Sequence, residues 1–294
     1  MAGSAEAMKL RRLDGWRDYA RLTRLNRPIG IWLLLWPTLW ALWIASNGNP
    51  PLSLLLIFIA GTVLTRSAGC IVNDLADRNL DPHVRRTRDR PLAARRISPY
   101  AALGLFALLM GMALLLVLQL NALTIKLACI AAGLTITYPF FKRFFPLPQF
   151  YLGLTFGWAV PMAFAAQLGY VPRAGWVLML ATLLWAGVYD TFYAMVDRDD
   201  DLRIGVHSTA VTFGDMDLRL IAVMQIMVLL ALLLVGRSVQ LGTPYYVALA
   251  AGALLFGWQQ WTARHRGRDA CLDAFRQNNY FGAVVMVGLI AHYA

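Results

Sequence analysis

The residues best suited to chemistry are aspartates grouped in two short stretches, each at the end of a long apolar segment. The first stretch spaces its oxygen-bearing side chains four residues apart, which on a helix puts them on one face. Its members are Asn73, Asp77 and Asp81, with Asp74 beside them. In the second stretch, Asp197 and Asp201 again stand one helical turn apart. Carboxylates at membrane depth are costly, which favours a specific role for them.

These side chains suit a magnesium-bound diphosphate. Mg²⁺ held by a few carboxylates typically shares its remaining positions with phosphate oxygens and water. Two such sites could hold two Mg²⁺ ions and make a diphosphate a better leaving group. The sequence has no Gly-rich phosphate loop that would compete. The predicted metal ligands are Asn73, Asp77, Asp81, Asp197 and Asp201. The alternative is a solvated loop whose aspartates pair with its arginines.

Composition indicates an all-α integral membrane protein. Of the 294 residues, 59% are hydrophobic and 15% charged, and the apolar runs are long enough to cross a bilayer core of about 30 Å. We predict nine transmembrane helices, at residues 28–46, 52–72, 99–119, 121–138, 148–168, 174–193, 218–236, 243–262 and 278–294. The basic residues behind the net charge of +11 lie in short loops, so we expect anionic membrane lipid as the partner and no nucleic acid.

The distribution of Lys and Arg predicts the orientation of the chain. Cytoplasmic loops should carry the excess of these residues. With the N-terminus inside, 23 of them fall in inside segments and only Arg173 and Arg237 in outside segments. Both aspartate stretches then face the cytoplasm. Residues 1–27 are expected to form an amphipathic segment on the membrane surface, and residues 28–294 the membrane domain.

Further polar groups at the membrane edge are candidate substrate ligands. Lys142 and Arg143 follow Tyr138 at the end of the fourth span, where a guanidinium could bind a carboxylate in bidentate fashion. The alternative is a helix-end cation that reaches to the interface. Tyr189 and Tyr193 share one helical stripe with the second aspartate stretch, although tyrosines are also common at interfaces. Arg27 and Arg66 are further cations expected to reach the same cavity.

The two aspartate motifs resemble those of the UbiA superfamily of intramembrane aromatic prenyltransferases. The motifs are N-D-x-x-D-x-x-x-D at residues 73–81 and YDTFYAMVDRDDD at residues 189–201. The second motif, with RLNRPIG at residues 24–30 and YPFFKR at residues 138–143, looks most like the hydroxybenzoate branch of that superfamily. Many members have Lys where this chain has Tyr193, and the hydroxybenzoate branch shares that departure.

The resemblance implies a UbiA-type bundle around a central cavity open to the bilayer, in a bacterial inner membrane. It implies Mg²⁺ as cofactor, with polyprenyl diphosphate and 4-hydroxybenzoate as substrates in ubiquinone biosynthesis. The five predicted metal ligands, with Asp74 beside them, would hold the diphosphate. Arg143 would anchor the carboxylate of the aromatic acid. Naphthoate, homogentisate and haem remain alternative acceptors.

The expected chemistry proceeds through an allylic carbocation. The diphosphate departs from C1 of the prenyl chain, the ring attacks from the carbon ortho to its hydroxyl, and loss of the ring proton restores aromaticity. Asp190 is the candidate proton acceptor. An apolar cavity with aromatic faces would keep water from the cation. An ion-coupled transporter is a weaker alternative, because its carboxylates should lie deep within the spans. The D-G-x-x-A-R core of CDP-alcohol phosphatidyltransferases does not follow either motif.

Overall fold

A computed structural model describes residues 15–84, 86–141, 145–205 and 207–294. Within these ranges the chain is helical, and no β-strand occurs in them. A short helical segment at residues 15–22 comes first. The helices that follow are α1 (Ile29–Ala45), α2 (Leu52–Asp77), α3 (Pro99–Val117), α4 (Ala122–Phe141), α5 (Pro148–Gly157), α6 (Ala159–Leu168), α7 (Arg173–Ile204), α8 (Thr209–Phe213), α9 (Asp217–Ser238), α10 (Thr243–Ala263) and α11 (Arg268–Tyr293).

Local capping residues explain several of these boundaries. The Ser98 hydroxyl accepts a hydrogen bond from the Ala101 backbone N–H at 3.1 Å, and Pro99 occupies the first position of α3. Gly205 ends α7 in the left-handed conformation, with φ of 70°. Ser208 then caps α8 in the same way as Ser98 caps α3. The loop after the second aspartate motif is therefore set by the sequence immediately around it.

Each of the nine predicted apolar segments coincides with helix in the described ranges. The fifth is interrupted at Trp158, where α5 passes into α6. The sixth is longer than predicted, since α7 runs through the whole second aspartate motif to Ile204. The expectation that Asp81 continues the helical face of the first motif is wrong. Helix α2 ends at Asp77, and Asp81 begins a 3₁₀ turn, Asp81–His83. Pro82 disfavours helical geometry at the residue before it.

Five of the described helical segments are long and apolar enough to cross a membrane. They are Leu52–Asp77, Pro99–Val117, Ala122–Phe141, Arg173–Arg203 and Thr209–Ser238. In Pro99–Val117 only 11% of the apolar window is buried inside the protein, so most of this apolar surface needs lipid to cover it. The predicted number of nine spans is not confirmed by these criteria. Helix α1 is apolar but shorter.

The centre of the bundle is helix α7, which packs against α5, α8, α9 and α11. Its Trp185 ring stacks on Trp40 of α1 with centroids 5.3 Å apart and lies 5.4 Å from the Phe281 ring of α11. The Trp185 indole N–H donates to the Asn278 amide oxygen at 2.9 Å, so the buried polar atom is satisfied. This aromatic core fixes the helix that carries the second motif.

Two glycines let α5 approach α7 closely. Gly153 and Gly157 stand one turn apart and face Leu183 and Met179 of α7. A Cβ atom at Gly153 would lie 2.5 Å from the backbone oxygen of Leu183, and one at Gly157 would lie 3.1 Å from that of Met179. Small residues at this spacing are typical of tightly packed membrane helices. The pair therefore sets the distance between the two backbones.

Replacing Gly153 by alanine should destabilise the protein, because the new methyl group meets the rigid backbone of α7. We expect a loss of about 1–3 kcal/mol, as for overpacked cores. The measurement is an SDS unfolding titration of the purified protein. Gly111→Ala in α3 is the matched control, since nothing lies within 4 Å of a Cβ atom there. A Gly153→Ala protein as stable as the Gly111→Ala protein would contradict the close-packing role.

Candidate active site

Two adjoining cavities lie inside the bundle. One, of about 380 Å³, is lined by both aspartate motifs and is called the mouth. The other, of about 400 Å³, is lined mainly by apolar residues of α2 to α6 and is called the chamber. They share a boundary that consists of Asn73, Arg90, Tyr138, Asp190 and Tyr193. A polar site therefore opens directly into an apolar one.

All five predicted metal ligands line the mouth. Asn73, Asp77 and Asp81 come from the end of α2 and the turn after it, and Asp197 and Asp201 come from the end of α7. Asp81 reaches the mouth although it has left the helix. The two motifs, more than a hundred residues apart in the chain, thus meet around one space.

Arginines of the α2–α3 loop neutralise several of these carboxylates. The Arg90 guanidinium lies between Asp74 and Asp81, at 3.0 and 2.9 Å. The Arg86 Nε atom donates to both carboxylate oxygens of Asp197 at 2.9 Å. Burial raises the pKa of Asp81, and the adjacent Arg90 opposes that shift by favouring the carboxylate. Ion pairs therefore connect the loop to Asp74 of α2 and to Asp197 of α7.

The donor set of the mouth fits a hard cation. In the described part of the chain, no three Asp, Glu, His or Cys side chains are grouped closely enough to hold a metal ion. The oxygens of Asp81 and Asp197 instead contact guanidinium groups. Nevertheless, carboxylate and amide oxygens around one cavity are the ligands that Mg²⁺ prefers. The described lining includes five aspartates and only two arginines, so the formal charge favours cations.

Asp74 of the first motif connects distant segments of the chain, because it pairs with both Arg24 and Arg90. It is fully buried, and Arg24 donates to both of its oxygens at 2.8 and 3.0 Å, in addition to its contact with Arg90. Arg24 has a left-handed backbone, with φ of 60°, and also lines the chamber. Arg27, the predicted ligand, is exposed and lines neither cavity. The sequence signal for Arg24 was its place in the RLNRPIG motif, three residues before Arg27.

Arg66 points a cation into the chamber. Its guanidinium carbon lies 5.3 Å from the centroid of the Phe156 ring, and its Nε atom is buried with no hydrogen-bond partner among the described residues. A Cβ atom at Gly30 would lie 2.7 Å from Arg66 Nε, so only glycine leaves room for the guanidinium there. A guanidinium with an unsatisfied Nε atom that lines a cavity is suited to bind an anion.

Only some of the remaining predicted site residues line a cavity. Tyr138, Tyr193 and Asp190 lie at the boundary of the two cavities. Tyr193 also accepts a hydrogen bond of 2.5 Å from Arg86. Tyr189 lines neither cavity, since its buried ring packs edge-on against Trp185 with centroids 5.5 Å apart. The predicted ligands Lys142 and Arg143 lie outside the described residues.

Comparison with known proteins agrees with this geometry. Residues 34–283 match the UbiA prenyltransferase family. A relative from Nitrosococcus oceani named 4-hydroxybenzoate octaprenyltransferase is 56% identical over 275 residues, 94% of this chain and 96% of its own. Another, from Alkalilimnicola ehrlichii and with the same name, is 53% identical over 273 residues, 93% of each chain.

Solved structures show the same fold. The apo structure of a UbiA homolog from Aeropyrum pernix has a TM-score of 0.79 at 25% identity, over 89% of this chain and 97% of that one. A UbiA homolog from Archaeoglobus fulgidus, solved with GPP and Mg²⁺, has a TM-score of 0.68 at 16% identity, over 93% of this chain and 99% of that one. On the extent of the sequence match, this protein belongs to the UbiA prenyltransferase family.

Proposed function

We propose that this protein transfers a polyprenyl group from polyprenyl diphosphate to the carbon ortho to the hydroxyl of 4-hydroxybenzoate, with Mg²⁺, in ubiquinone biosynthesis. The observation that carries the proposal is the meeting of both aspartate motifs at one polar mouth that opens into an apolar chamber. Relatives at 53% and 56% identity carry the name of this activity.

The mouth would receive the diphosphate. The five aspartates and two arginines of its described lining give an excess of negative charge, which repels a diphosphate unless divalent cations accompany it. Asn73, Asp77, Asp81, Asp197 and Asp201 would hold Mg²⁺, which neutralises the diphosphate and makes it a better leaving group. The homolog from Archaeoglobus fulgidus that was solved with GPP and Mg²⁺ supports this assignment.

Arg86 and Arg90 would then change partners. Both guanidiniums contact carboxylates that belong to the predicted metal ligands, Asp197 and Asp81. If those carboxylates held the metal instead, the two arginines would be free to contact the diphosphate. Guanidinium groups bind phosphate oxygens in bidentate fashion, so the same two side chains would contact the diphosphate.

The aromatic acid would lie at the boundary of mouth and chamber. Arg66 would bind its carboxylate, because its buried Nε lacks a partner among the described residues and it lines the chamber. Arg143, for which the structure gives no position, stays the alternative anchor. Asp190 lies at the boundary where the ring and C1 of the prenyl chain would meet, and it is the proposed proton acceptor.

The apolar lining of the chamber would protect the allylic cation from water. Phe156, Phe58 and Tyr138 contribute aromatic surface, which also stabilises positive charge. A long prenyl tail would continue into membrane lipid, which the outward apolar surface of α3 requires as its solvent. The proposed location is a bacterial inner membrane, which the chain would cross nine times, and the predominance of Lys and Arg in one set of loops supports a site that faces the cytoplasm.

The decisive experiment is an assay of the purified protein with polyprenyl diphosphates of several lengths and a panel of acceptors. We expect turnover with 4-hydroxybenzoate, only in the presence of Mg²⁺, and a product prenylated ortho to the hydroxyl. Naphthoate, homogentisate and haem are the comparison acceptors. Preferred turnover of one of these would refute the proposed acceptor while leaving the prenyl transfer intact.

Removing one metal ligand from either motif should abolish turnover. We expect Asp77→Asn and Asp197→Asn each to lower kcat by about 100-fold or more, because each removes charge that acts on the leaving group. Both proteins should insert and fold, as checked by size-exclusion chromatography in detergent. Asp89→Asn is the matched control, since Asp89 lies in the α2–α3 loop, lines neither cavity and has a side chain that is 87% exposed. Full activity in either test variant would refute the metal assignment.

Substitution of Arg66 should change the KM for one substrate and leave the KM for the other unchanged. We expect Arg66→Gln to raise the KM for 4-hydroxybenzoate by about 10-fold or more, the cost of one charge-assisted hydrogen bond, with the KM for prenyl diphosphate unchanged. Steady-state kinetics with each substrate varied gives both values. Lys126→Gln is the control, because Lys126 is an exposed cation on α4 that lines neither cavity. A rise confined to the KM for prenyl diphosphate would assign Arg66 to that substrate instead.

A further inference from the structure

The second aspartate motif has an outer side that does not line the mouth. Asp197 and Asp201 line the mouth, whereas Arg198, Asp199 and Asp200 between them do not. Asp200 accepts a hydrogen bond from Arg268 at 3.4 Å, and Asp199 lies 3.8 Å from the same guanidinium. The outer side of the motif is therefore paired with the start of α11.

A second contact on the outer side joins Arg198 to Asp217. Arg198 donates to the Asp217 carboxylate and, at 3.1 Å, to the backbone oxygen of Gly214. Asp217 is the first residue of α9 and also accepts at 3.0 Å from Arg266, in the turn between α10 and α11. Arg198 of α7 and Arg266 of the α10–α11 turn thus converge on the Asp217 carboxylate at the start of α9, and none of the three residues lines either cavity.

Burial makes this carboxylate dependent on its partners. Asp217 is 0% exposed, and a buried carboxylate is costly unless it is paired and hydrogen-bonded. Arg266 adopts a left-handed backbone, with φ of 55°, and donates a second hydrogen bond to the Asp215 backbone oxygen at 2.9 Å. A non-glycine residue in that conformation is strained, so the surrounding contacts must hold it there.

We propose that Asp217 is a positioning residue for the metal-binding carboxylates Asp197 and Asp201. Arg198 follows Asp197 directly on the same helix, so a guanidinium held by Asp217 fixes the rotation of the last turns of α7. That rotation decides whether Asp197 and Asp201 face the mouth together. The inference rests on the proposed function, since it assigns a metal-binding role to these two aspartates.

The test compares metal dependence in wild type, Asp217→Asn and Asp217→Glu. Asp217→Asn should raise the Mg²⁺ concentration for half-maximal turnover by about 10-fold, as for other groups that orient metal ligands. The KM for 4-hydroxybenzoate should not change, because Arg66 and Tyr138 are on other helices. Asp217→Glu, which keeps the charge, should restore much of the metal affinity. Asp273→Asn is the matched control, because Asp273 is an exposed aspartate on α11.

Metal binding is also measured without turnover. Mn²⁺ bound in the presence of inorganic diphosphate is counted by electron paramagnetic resonance, and Asp217→Asn should bind it about 10-fold more weakly than wild type. Wild-type protein that binds Mn²⁺ but does not prenylate would refute the proposed function alone. Mn²⁺ binding by Asp217→Asn equal to that of wild type would overturn the positioning role, even if the variant were less stable to heat.

A second variant covers the case in which Asp217→Asn fails to fold. Arg266→Gln leaves the pair of Arg198 and Asp217 in place and removes a side chain that is 37% exposed, so the protein should still fold. We expect a smaller loss of Mn²⁺ affinity, about 3-fold, because one of the two cations on Asp217 is gone. Unchanged affinity in folded Arg266→Gln, together with an unfolded Asp217→Asn, would assign Asp217 to stability and overturn the proposal.

Discussion

The constraint on which the structure depends is the pairing of buried carboxylates with arginines inside an apolar bundle. Asp74 is paired with Arg24 and Arg90, and Asp217 with two other arginines. In surroundings of low polarity an unpaired carboxylate would be costly, so each pair brings together the segments that supply its members. The loops of the bundle are therefore located by charge, whereas the helices are located by apolar packing.

Two groups of ion pairs among the described residues differ in their position relative to the mouth. Asp74 and Asp217 are fully buried, and their pairs join separate segments of the chain. Asp81 and Asp197 border the mouth, so their arginines are next to the space that a substrate would enter. The two groups share Arg90, which contacts both Asp74 and Asp81, whereas Arg24 contacts only Asp74 among these carboxylates. Under the proposed function, a metal-bound diphosphate would take the place of Asp81 beside Arg90 while Asp74 keeps Arg24 as its partner.

The sequence predicted the positions of the helices more fully than it predicted the contacts of the site residues. Apolar length and K/R distribution are local signals, and each predicted segment is helical in the described ranges. Helix α2 ends at Asp77, before Asp81 is reached, which the four-residue spacing alone does not show. The residue that a polar or aromatic side chain contacts is not determined by its neighbours in the sequence. Arg24 rather than Arg27 meets Asp74, and Tyr189 turns to Trp185 rather than to a cavity, because packing across distant helices decides both.

The contrast between mouth and chamber also bears on how two anionic substrates are kept apart. The described lining of the mouth has more aspartates than arginines, so an anion enters it favourably only with divalent cations. The described lining of the chamber instead contains three arginines and two aspartates, and the Nε atom of one of these arginines, Arg66, has no hydrogen-bond partner in the described chain. A simple carboxylate gains a charge-assisted contact there without a metal ion. Under the proposed function, this difference in charge would favour a metal-bound diphosphate in the mouth and the carboxylate of an aromatic acid beside Arg66.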